Sequence, residues 1–168
     1  YLVAHGHKDI AVISGPNAYS STTERLEGFC QALHKQGISL PDNRIIEGDN
    51  TYESGIACGR ALLTQDPIPD TIFANNDDMA IGVIRAAHDL KINVPQSLSV
   101  VGFDDNLMAA RMLPSLTTIR RPVRDMAAIA AQKLIAQIEN LPADNIATQP
   151  VKAQLIVRES TRKKSDFS

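Results

Sequence analysis

Short apolar runs alternate with longer amphipathic segments along most of the chain, and this alternation is the feature that most constrains the fold. The apolar runs cover residues 10–13, 44–47, 71–74 and 98–103. Each is bounded by turn residues, which is typical of strands buried on both faces of a sheet. The amphipathic segments predict helices after Ser21, over residues 52–63 and over residues 77–90. Strands that alternate with such helices are joined by right-handed crossovers, so the sequence predicts an α/β fold with a doubly wound parallel sheet.

The first helix carries a start signal and an end signal. Ser21 and Glu24 have the spacing of a capping box, in which two side chains satisfy backbone N–H groups of the first turn. The apolar side chains that follow lie three or four residues apart and form one helix face: Leu26, Phe29, Cys30 and Leu33. Gly37 comes next, and glycine commonly ends a helix. We therefore expect a helix that begins near Ser21 and ends before Gly37.

The pattern changes after residue 103. Residues 117–119 are short and β-prone, and Pro122 stands where a helix can begin, because a first-turn residue needs no N–H partner. An amphipathic helix is expected from Pro122 to Asn140. Residues 140–150 are expected to form a loop, and residues 154–157 a last strand.

Composition restricts the classes of function. Apolar residues make up 43% of the 168 residues and charged residues 21%, which suits the core of one domain or one large lobe. The net charge of −2 argues against a domain that binds DNA by itself. Aromatic residues make up only 4%, which argues against stacking on single-stranded nucleic acid. A basic cluster near the end is expected to belong to a solvated tail over residues 162–168.

The cysteines and the start of the chain bear on the cellular compartment. Cys30 and Cys58 each lie among apolar residues at helical spacing, so we expect buried free thiols rather than a disulfide. No apolar run is long enough to span a membrane, and no signal peptide is recognisable. The chain opens without Met, so an N-terminal portion is expected to be missing. These features predict a cytoplasmic protein without membrane contact.

Polar residues follow three of the predicted strands, at residues 14–17, 75–78 and 104–106. Ligands of open parallel α/β sheets bind beyond the carboxyl ends of the strands, so these residues should share one rim. Amide and carboxylate groups suit neutral hydroxylated ligands and suit phosphates poorly. The alternative is that these residues only cap helices and form turns.

Arg25 lies in the first predicted helix, just past a strand end. Its guanidinium group could reach back to the rim and donate several hydrogen bonds to a ligand. The alternative is a surface arginine that pairs with Glu24 or Glu27.

Signals of catalysis and of metal binding are missing. His5 and His7 are near neighbours without a third ligand close by, which argues against a metal site. Neither a Gly-x-Ser-x-Gly elbow nor a phosphate-binding glycine loop ending in Lys-Ser/Thr occurs. The adjacent carboxylates at 77–78 and at 104–105 should point apart rather than face one substrate bond. We therefore expect no cofactor, no metal and no enzyme activity.

Several motifs together resemble the LacI/GalR family of transcriptional regulators. In chain order they are Gly-His-x-x-Ile-Ala then Gly-Pro (6–16), Arg-Leu-x-Gly-Phe (25–29), Asn-Asp-x-Met-Ala-x-Gly (76–82), Val-Pro (94–95), Ser-Val-x-Gly-Phe-Asp-Asp (99–105), Leu-Thr-Thr-Ile (116–119) and Val-Arg-Glu-Ser-Thr (157–161). Each motif is moderately specific. Because the set covers nearly the whole chain in order and spacing, the resemblance is strong.

The resemblance implies an architecture for the chain. Members of the family have an N-terminal helix-turn-helix, absent from this chain, then a hinge and a two-lobed periplasmic-binding-protein-like core. The resemblance implies that residues 8–119 and 151–161 form the C-terminal lobe. It also implies that the helix within residues 120–140 belongs to the N-terminal lobe.

The same resemblance implies which residues contact the effector. Arg25, Asn76 and Asp104 match the positions of polar effector contacts in the family, and Ser21 is a weaker candidate. These residues belong to, or lie beside, the rim that the strand ends predict. The first three would donate or accept hydrogen bonds with the hydroxyl groups of a small polar ligand.

Two positions depart from the family pattern. Asn50 stands where many members have an aromatic residue that stacks on the effector. Arg121 stands near the crossing of the cleft, where an uncharged polar residue is common. Both are retained as candidate contacts, and they leave open a more polar, acidic or phosphorylated effector.

The residues and the resemblance together predict the ligand-sensing domain of a repressor-type, DNA-binding transcriptional regulator. Its effector is expected to be a sugar or sugar derivative, and its operator DNA to be bound through the missing N-terminal domain. A homodimer through the C-terminal lobe is expected to use residues 80–85 and 108–113. Two alternatives remain: a periplasmic sugar-binding receptor of a transport system, and a small α/β enzyme that uses Asp77 or Asp104.

Overall fold

A six-stranded sheet organises the part of the chain that the computed structural model describes, residues 1–139 and 151–164. Its strands are β1 (Ile10–Ser14), β2 (Ile45–Glu47), β3 (Thr71–Ala74), β4 (Ser99–Asp104), β5 (Thr117–Arg120) and β6 (Gln154–Ile156). Its helices are α1 (Ser20–His34), α2 (Tyr52–Leu63), α3 (Asp77–Asp89) and α4 (Val123–Ile138). The strand order across the sheet is β2-β1-β3-β4-β5-β6.

The first five strands run parallel, which confirms the predicted α/β class, whereas β6 runs antiparallel to β5. The path of the chain explains the direction of this last strand. Gln154, at the start of β6, pairs with Arg120 at the carboxyl end of β5. The chain therefore re-enters the sheet at the edge where β5 leaves it, and the next strand has to run the opposite way.

Helices cover both faces of the sheet, so alternate strand residues enter two separate cores. Ile13 and Ile72 are fully buried in the core beneath α2 and α3. Val12 and Phe73 point to the other face, where they pack with Leu33 of α1. The strands are buried on both sides, as their continuous apolar runs predict.

The start of α1 differs from the prediction. Tyr19 occupies the N-cap position without a side-chain hydrogen bond, and Ser21 lies inside the first turn. The predicted capping box is wrong because the helix begins before Ser21, whose backbone is already helical. Gly37 follows the helix with φ +73°, a left-handed conformation that glycine adopts without strain.

α4 also begins one residue later than predicted, with Pro122 as its N-cap rather than its first residue. Ala136 is the one residue of this helix that is buried, and several of its apolar side chains are exposed: Val123, Met126, Leu134, Ile135 and Ile138. No helix in the described ranges is long and apolar enough to cross a membrane. The predicted loop over residues 140–150 lies outside the described residues.

Arg44 was expected in the second strand, but it lies in a 3₁₀ turn (Asp42–Arg44) just before β2. Its side chain is buried and forms an ion pair with Asp9, with Nε and Nη2 donating to the two carboxylate oxygens at 2.7 and 2.5 Å. Nη1 also donates to Gln65 Oε1 at 2.5 Å. The guanidinium group is used to join the start of β1 to the loop after α2, which explains why Arg44 is not a strand residue.

The basic cluster at the C-terminal end is not part of a solvated tail, contrary to the prediction. Arg162 Nε donates to the Pro95 carbonyl oxygen at 3.0 Å, and Lys164 Nζ lies 2.5 Å from Asp70 Oδ1. The buried His7 ring is hydrogen-bonded through Nε2 to the Arg162 carbonyl oxygen at 2.9 Å. These contacts attach the end of the chain to the amino ends of the strands. The rest of the predicted tail, residues 165–168, lies outside the described residues.

The two cysteines are free thiols, as predicted. Cys58 is buried in the core beneath α2 and α3. Cys30 is only half-buried, because the outer side of α1 faces solvent at that position. Burial raises the pKa of the Cys30 thiol, which favours its protonated form.

Candidate functional site

Polar side chains converge at the carboxyl ends of β3 and β4, at one edge of the sheet. They come from α1, from the loop after β2, from the last residue of β4, and from the residues that follow β3 and β5. We call this edge the polar rim and define it by six side chains: Arg25, Asn50, Asn75, Asn76, Asp104 and Arg121. The rule that ligand sites lie beyond strand carboxyl ends therefore selects the edge at which these side chains meet.

Arg25 reaches from α1 to the rim instead of pairing with Glu24 or Glu27. Its Nη1 donates to the backbone oxygen of Asn75 at 2.6 Å and to the Asn75 side-chain oxygen at 2.5 Å. Its Cζ atom lies 3.7 Å from the centroid of the Phe103 ring, a cation–π contact. Burial lowers the pKa of Arg25, and the positive charge of Arg121 adds to the effect while Asp104 opposes it.

Three asparagines form a connected hydrogen-bonded group beside Arg25. The buried Asn75 donates from Nδ2 to Asn50 Oδ1 at 2.8 Å, and Asn76 Nδ2 donates to the Asn50 carbonyl oxygen at 2.8 Å. Asn50 has φ +70°, a left-handed conformation that asparagine tolerates better than most residues. Asn76 is also the N-cap of α3, since its Oδ1 accepts a hydrogen bond from Met79 N at 2.9 Å.

Asp104 and Arg121 form an ion pair at the rim, with Arg121 Nη2 lying 2.6 Å from Asp104 Oδ1. Both side chains are partly exposed, at 34% for Asp104 and 42% for Arg121, so both are accessible to a ligand. Asp104 has φ +122°, a conformation that turns the chain sharply at the end of β4.

Asp105 points away from Asp104, as expected for neighbouring carboxylates. Its Oδ1 pairs with Arg158 Nη2 and its Oδ2 with Arg120 Nε, each at 2.5 Å. Its side chain is 7% exposed, so the ion pairs are largely shielded from water. Asp105 therefore anchors the rim loop, which we define as residues 104–106, to β5 and to the segment that follows β6.

Asp77 and Asp78 do not point apart as predicted, because both accept a hydrogen bond from Asn106, Asp77 from its backbone N and Asp78 from its Nδ2. Asp77 is buried and accepts hydrogen bonds from Thr118 Oγ1 at 2.5 Å and from Asn106 N at 2.7 Å. Burial raises the pKa of Asp77, and the nearby charges of Asp104 and Asp105 act in the same direction, while these two hydrogen bonds oppose the rise. A buried carboxylate with both oxygens bonded to the protein joins α3 to β5 rather than facing a ligand.

Ser21 is a sequence-predicted candidate that the structure does not bring into the rim group. It is exposed in the first turn of α1 and has no side-chain hydrogen bond within the described ranges. Asn75 was expected at the rim, within residues 75–78, but not as an effector contact, and Phe103 was not a predicted site residue. The signal for Asn75 was its place directly after β3, and the signal for Phe103 was its place one residue before Asp104 in β4.

A groove of about 670 Å³ lies next to the rim but has a different character. It runs along the α1 face of the sheet and is lined mainly by apolar side chains, among them Phe29, Phe73, Val101 and Ile119. Arg25 is the one rim residue that also lines it. The groove offers apolar contact area, whereas the hydrogen-bonding groups are at the rim.

The chemical groups of the rim suit the binding of a polar ligand. They are two guanidinium groups, three amides and one carboxylate, which can donate to and accept from several hydroxyl groups at once. No group of three His, Cys, Asp or Glu side chains close enough to hold a metal ion was found among the described residues. Tyr52, the aromatic residue nearest in sequence to Asn50, is the first residue of α2.

Comparison with known proteins identifies the family. A family model of the periplasmic binding protein-like domain matches residues 1–161. Catabolite control protein A of Priestia megaterium is 35% identical over 162 residues, which are 96% of this chain and 48% of that protein. The HTH-type transcriptional repressor PurR of Salmonella paratyphi B is 39% identical over 140 residues, which are 83% of this chain and 41% of that protein. The chain spans about half the length of the curated relatives it matches.

Solved structures agree with this assignment. The transcriptional regulator CelR in complex with cellobiose has a TM-score of 0.85 at 33% identity, over 95% of this chain and 48% of that one. A LacI-family sugar-binding regulator of Escherichia coli in complex with phosphate has a TM-score of 0.85 at 33% identity, over 97% of this chain and 58% of that one. A dimeric Lac repressor with a C-terminal deletion has a TM-score of 0.89 at 29% identity, over 97% of this chain and 59% of that one. The chain therefore belongs to the LacI/GalR family of transcriptional regulators and forms part of their periplasmic binding protein-like domain.

Proposed function

We propose that this chain senses a small polar effector, a sugar or a sugar derivative, and couples its binding to the operator affinity of a transcriptional repressor. The proposed contacts are Arg25, Asn76 and Asp104, together with Asn50, Arg121 and the more peripheral Ser21. One observation carries the proposal: Arg25 of α1 and Asp104 at the end of β4 converge beside Phe103. Residues from distant parts of the chain thus supply donors and an acceptor to one small volume.

The hydrogen-bonding capacity of the rim supports a hydroxylated ligand. Within the described residues Arg25 uses only Nη1, so its Nε and Nη2 remain available as donors. The Asp104 carboxylate can accept hydrogen bonds from two ligand hydroxyl groups once Arg121 moves away or shares the carboxylate with the ligand. The relative CelR, solved with cellobiose, shows that a sugar ligand occurs among similar chains.

We further propose that residues 8–119 and 151–161 form the C-terminal lobe and that α4, within residues 120–140, packs on an N-terminal lobe outside this chain. The support is the exposure of its apolar side chains, with only Ala136 buried. An effector at the rim would then lie between two lobes. Its contacts with both lobes would favour the closed arrangement, and this preference is what links effector binding to DNA binding.

The proposed regulator binds operator DNA through a domain outside this chain and is not itself an enzyme. The named relatives are transcriptional regulators, which supports this and does not favour a transport receptor. The hydrogen bonds of Asp77 also argue against catalysis by this residue, since both of its carboxylate oxygens are bonded inside the protein.

We propose a homodimer through an apolar patch of the C-terminal lobe. Leu107, Met108 and Leu113 are 65%, 53% and 87% exposed, which is unusual for large apolar side chains. Most of the predicted surface on α3 is wrong, because its residues belong to the core: Ala80, Gly82, Val83 and Ile84 are buried. In the second segment Ala109 is fully buried and Met112 packs against the core, so neither is available to a partner. A Leu113→Asp variant of the full-length protein should sediment as a monomer at concentrations where the wild type is a dimer. Identical sedimentation would contradict the patch.

The function is tested with the full-length protein and a panel of sugars, sugar acids, sugar phosphates and nucleosides. Thermal shift identifies compounds that stabilise the protein, and fluorescence anisotropy with labelled operator DNA then measures whether they change DNA affinity. We expect one compound class to raise the melting temperature and to change operator affinity severalfold or more. A panel in which compounds are turned over, or in which binding leaves operator affinity unchanged, would contradict the proposal.

A further inference from the structure

Two arginines lie close to one aromatic ring, Phe103, at the polar rim. The Cζ atoms of Arg25 and Arg121 lie 3.7 and 5.8 Å from the centroid of the Phe103 ring. The first comes from α1 and the second follows β5, so the fold brings two positive charges together from distant parts of the sequence. Like charges at such proximity repel each other unless a negative charge compensates them.

Only part of this positive charge is compensated by the protein. Arg121 is paired with Asp104, whose carboxylate is also the acidic group that acts on Arg25. Arg25 itself binds the two oxygens of Asn75, which are neutral. Two guanidinium charges therefore face a single carboxylate, and one positive charge has no acidic partner among the described residues.

The other carboxylates near this edge are engaged elsewhere. Asp105 is paired with Arg120 and Arg158, and Asp77 is buried against Thr118 and Asn106. Three further acids accept hydrogen bonds from neutral groups: Asp78 from Asn106 Nδ2, Glu47 from Asn17 Nδ2, and Asp49 from Thr51 N and Oγ1. The uncompensated charge beside Phe103 is thus a local property of the site and not of the edge as a whole.

Asn50 gives a second indication that the site favours a charged ligand. The wall of the rim at this position presents an amide that is held by Asn75, in a left-handed backbone conformation, rather than an aromatic ring for the apolar face of a sugar. The rim therefore offers polar and charged groups on the sides formed by Asn50, Asn75 and Arg25. A ligand that fits such a site gains more from charge than from stacking, because charge-assisted hydrogen bonds are about twice as strong as neutral ones.

Given the proposed sensing function, we infer that the effector carries an anionic group, a carboxylate or a phosphate, held between Arg25 and Arg121. Its hydroxylated body would face Asp104 and the rim amides, which accept from and donate to hydroxyl groups. The presence of Asp104 limits the anionic part to one end of the ligand. Sugar acids and sugar phosphates are the chemical classes with this distribution of charge.

The test compares matched neutral and anionic probes on the full-length protein by isothermal titration calorimetry at low salt. The first set of probes is glucose, gluconate and glucose 6-phosphate. The second set is N-acetylglucosamine and its 6-phosphate, and inorganic phosphate is the minimal anion. We expect the anionic member of at least one set to bind about tenfold or more tightly than its neutral partner, and this preference to weaken as salt rises. Gluconate and the phosphate esters separate a carboxylate from a phosphate as the preferred group.

Two variants assign the preference to the site. Arg121→Gln should reduce the anionic preference to about twofold or less, and it should weaken the binding of inorganic phosphate. Arg60→Gln removes the same charge from the exposed end of α2, where Arg60 pairs with Asp89, and should keep the wild-type preference. Arg121 is partly exposed, and its side-chain contacts among the described residues are the ion pair with Asp104 and the distant contact with Phe103, so its loss should leave the melting temperature almost unchanged.

The outcomes separate this inference from the proposed function. A neutral sugar that binds at least as tightly as its anionic partner and changes operator affinity would support sensing and overturn the anionic class. An anionic preference that Arg121→Gln leaves intact would overturn the assignment to this site. If no anion, inorganic phosphate included, binds the wild type more tightly than it binds Arg121→Gln, the inference is wrong. Binding of an anion that leaves operator affinity unchanged would overturn the sensing function alone.

Discussion

Arg25 and Asn75 are 50 positions apart in sequence, yet one nitrogen of Arg25 donates to both the backbone oxygen and the side-chain oxygen of Asn75, at 2.6 and 2.5 Å. The contact fixes the side chain of α1 against the carboxyl end of β3. Because Asn75 in turn holds Asn50, a single amide connects three segments of the rim. The position of the guanidinium group is therefore set by the protein before any ligand arrives, which reduces the entropy that binding has to overcome.

Removing either charged contact at the rim should weaken effector binding. Charge-assisted hydrogen bonds contribute roughly 1.5–3 kcal/mol each, so Arg25→Ala or Asp104→Ala should lower effector affinity by about ten- to a hundredfold. Calorimetry with the effector found in the panel measures the change. Operator affinity without effector should be retained, because neither residue lies in a DNA-binding segment.

A matched control for these variants is Glu27→Ala, an exposed change on α1 that should leave effector affinity unaltered. The opposite pattern for Arg25 and Asp104, with effector affinity intact and a sharply lower melting temperature, would mean that both side chains are structural.

Two glycines beside the rim and on α1 should respond to alanine in opposite directions. A Cβ at Gly15 would collide with the Asn75 and Asn50 side chains, so Gly15→Ala should lower the free energy of unfolding by about 1–3 kcal/mol. A Cβ at Gly28 meets nothing within 4 Å, so Gly28→Ala should raise the free energy of unfolding by roughly 0.5–1 kcal/mol through helix propensity. Urea denaturation of both variants measures the difference. Equal effects would show that Asn75 and Asn50 can move aside.

The ion pairs of Asp105 should matter more than those of an exposed acid. Asp105→Ala removes the partner of Arg158, whose side chain is only 15% exposed, and should cost about 2–3 kcal/mol of the free energy of unfolding. Asp89→Ala, on the surface at the end of α3, removes contacts to two exposed arginines and should change stability little. Denaturation curves for the two variants provide the comparison. If Asp105→Ala leaves the free energy of unfolding unchanged, the rim loop holds its shape without the ion pairs of Asp105.

The buried His7 should make stability depend on pH. Burial lowers the pKa of His7 below its ordinary value of 6.5, while its hydrogen bond to Arg162 and the charge of Asp70 oppose the shift. In the unfolded chain the pKa returns to the ordinary value. As pH falls below about 6.5, the unfolded chain therefore takes up a proton that the folded protein does not, and stability falls until the folded pKa is reached.

Unfolding measured from about pH 8 to about pH 5 should show this loss in the wild type. His7→Gln should be less stable at the upper end of the range, because two buried hydrogen bonds are disturbed, but should have a flatter pH dependence. His88→Gln, which changes a histidine whose side chain is 86% exposed, should keep the wild-type slope. An unchanged slope in His7→Gln would assign the pH dependence to other groups.

The secondary structure was predictable because it follows from a local pattern. The bounds of α2 and β3 agree with the prediction to the residue, and those of β1, β4 and α3 agree to within one residue. Periodic apolar side chains report directly on which faces are buried, and this requires no knowledge of the partner segments. The errors fall where a single side chain has a special role, as with Arg44, which is taken out of its strand by the ion pair to Asp9.

The edge that holds Arg25, Asn76 and Asp104 also followed from the sequence, since parallel strands place their carboxyl ends together. The sequence did not predict which side chains contact each other across that edge. Three such contacts join residues from distant segments. They are the hydrogen bond of Arg25 to Asn75, the contacts of Arg25 and Arg121 with Phe103, and the attachment of Arg162 and Lys164 to the strand ends.

By itself, then, the sequence determined the order and type of the elements and the edge of the sheet to which polar residues come, because these depend on local periodicity and on strand direction. The tertiary structure decided which polar side chains meet, the reversed direction of β6, and the excess of positive charge beside Phe103. Those properties depend on distances in space, which are set by how the helices pack and by where the chain re-enters the sheet.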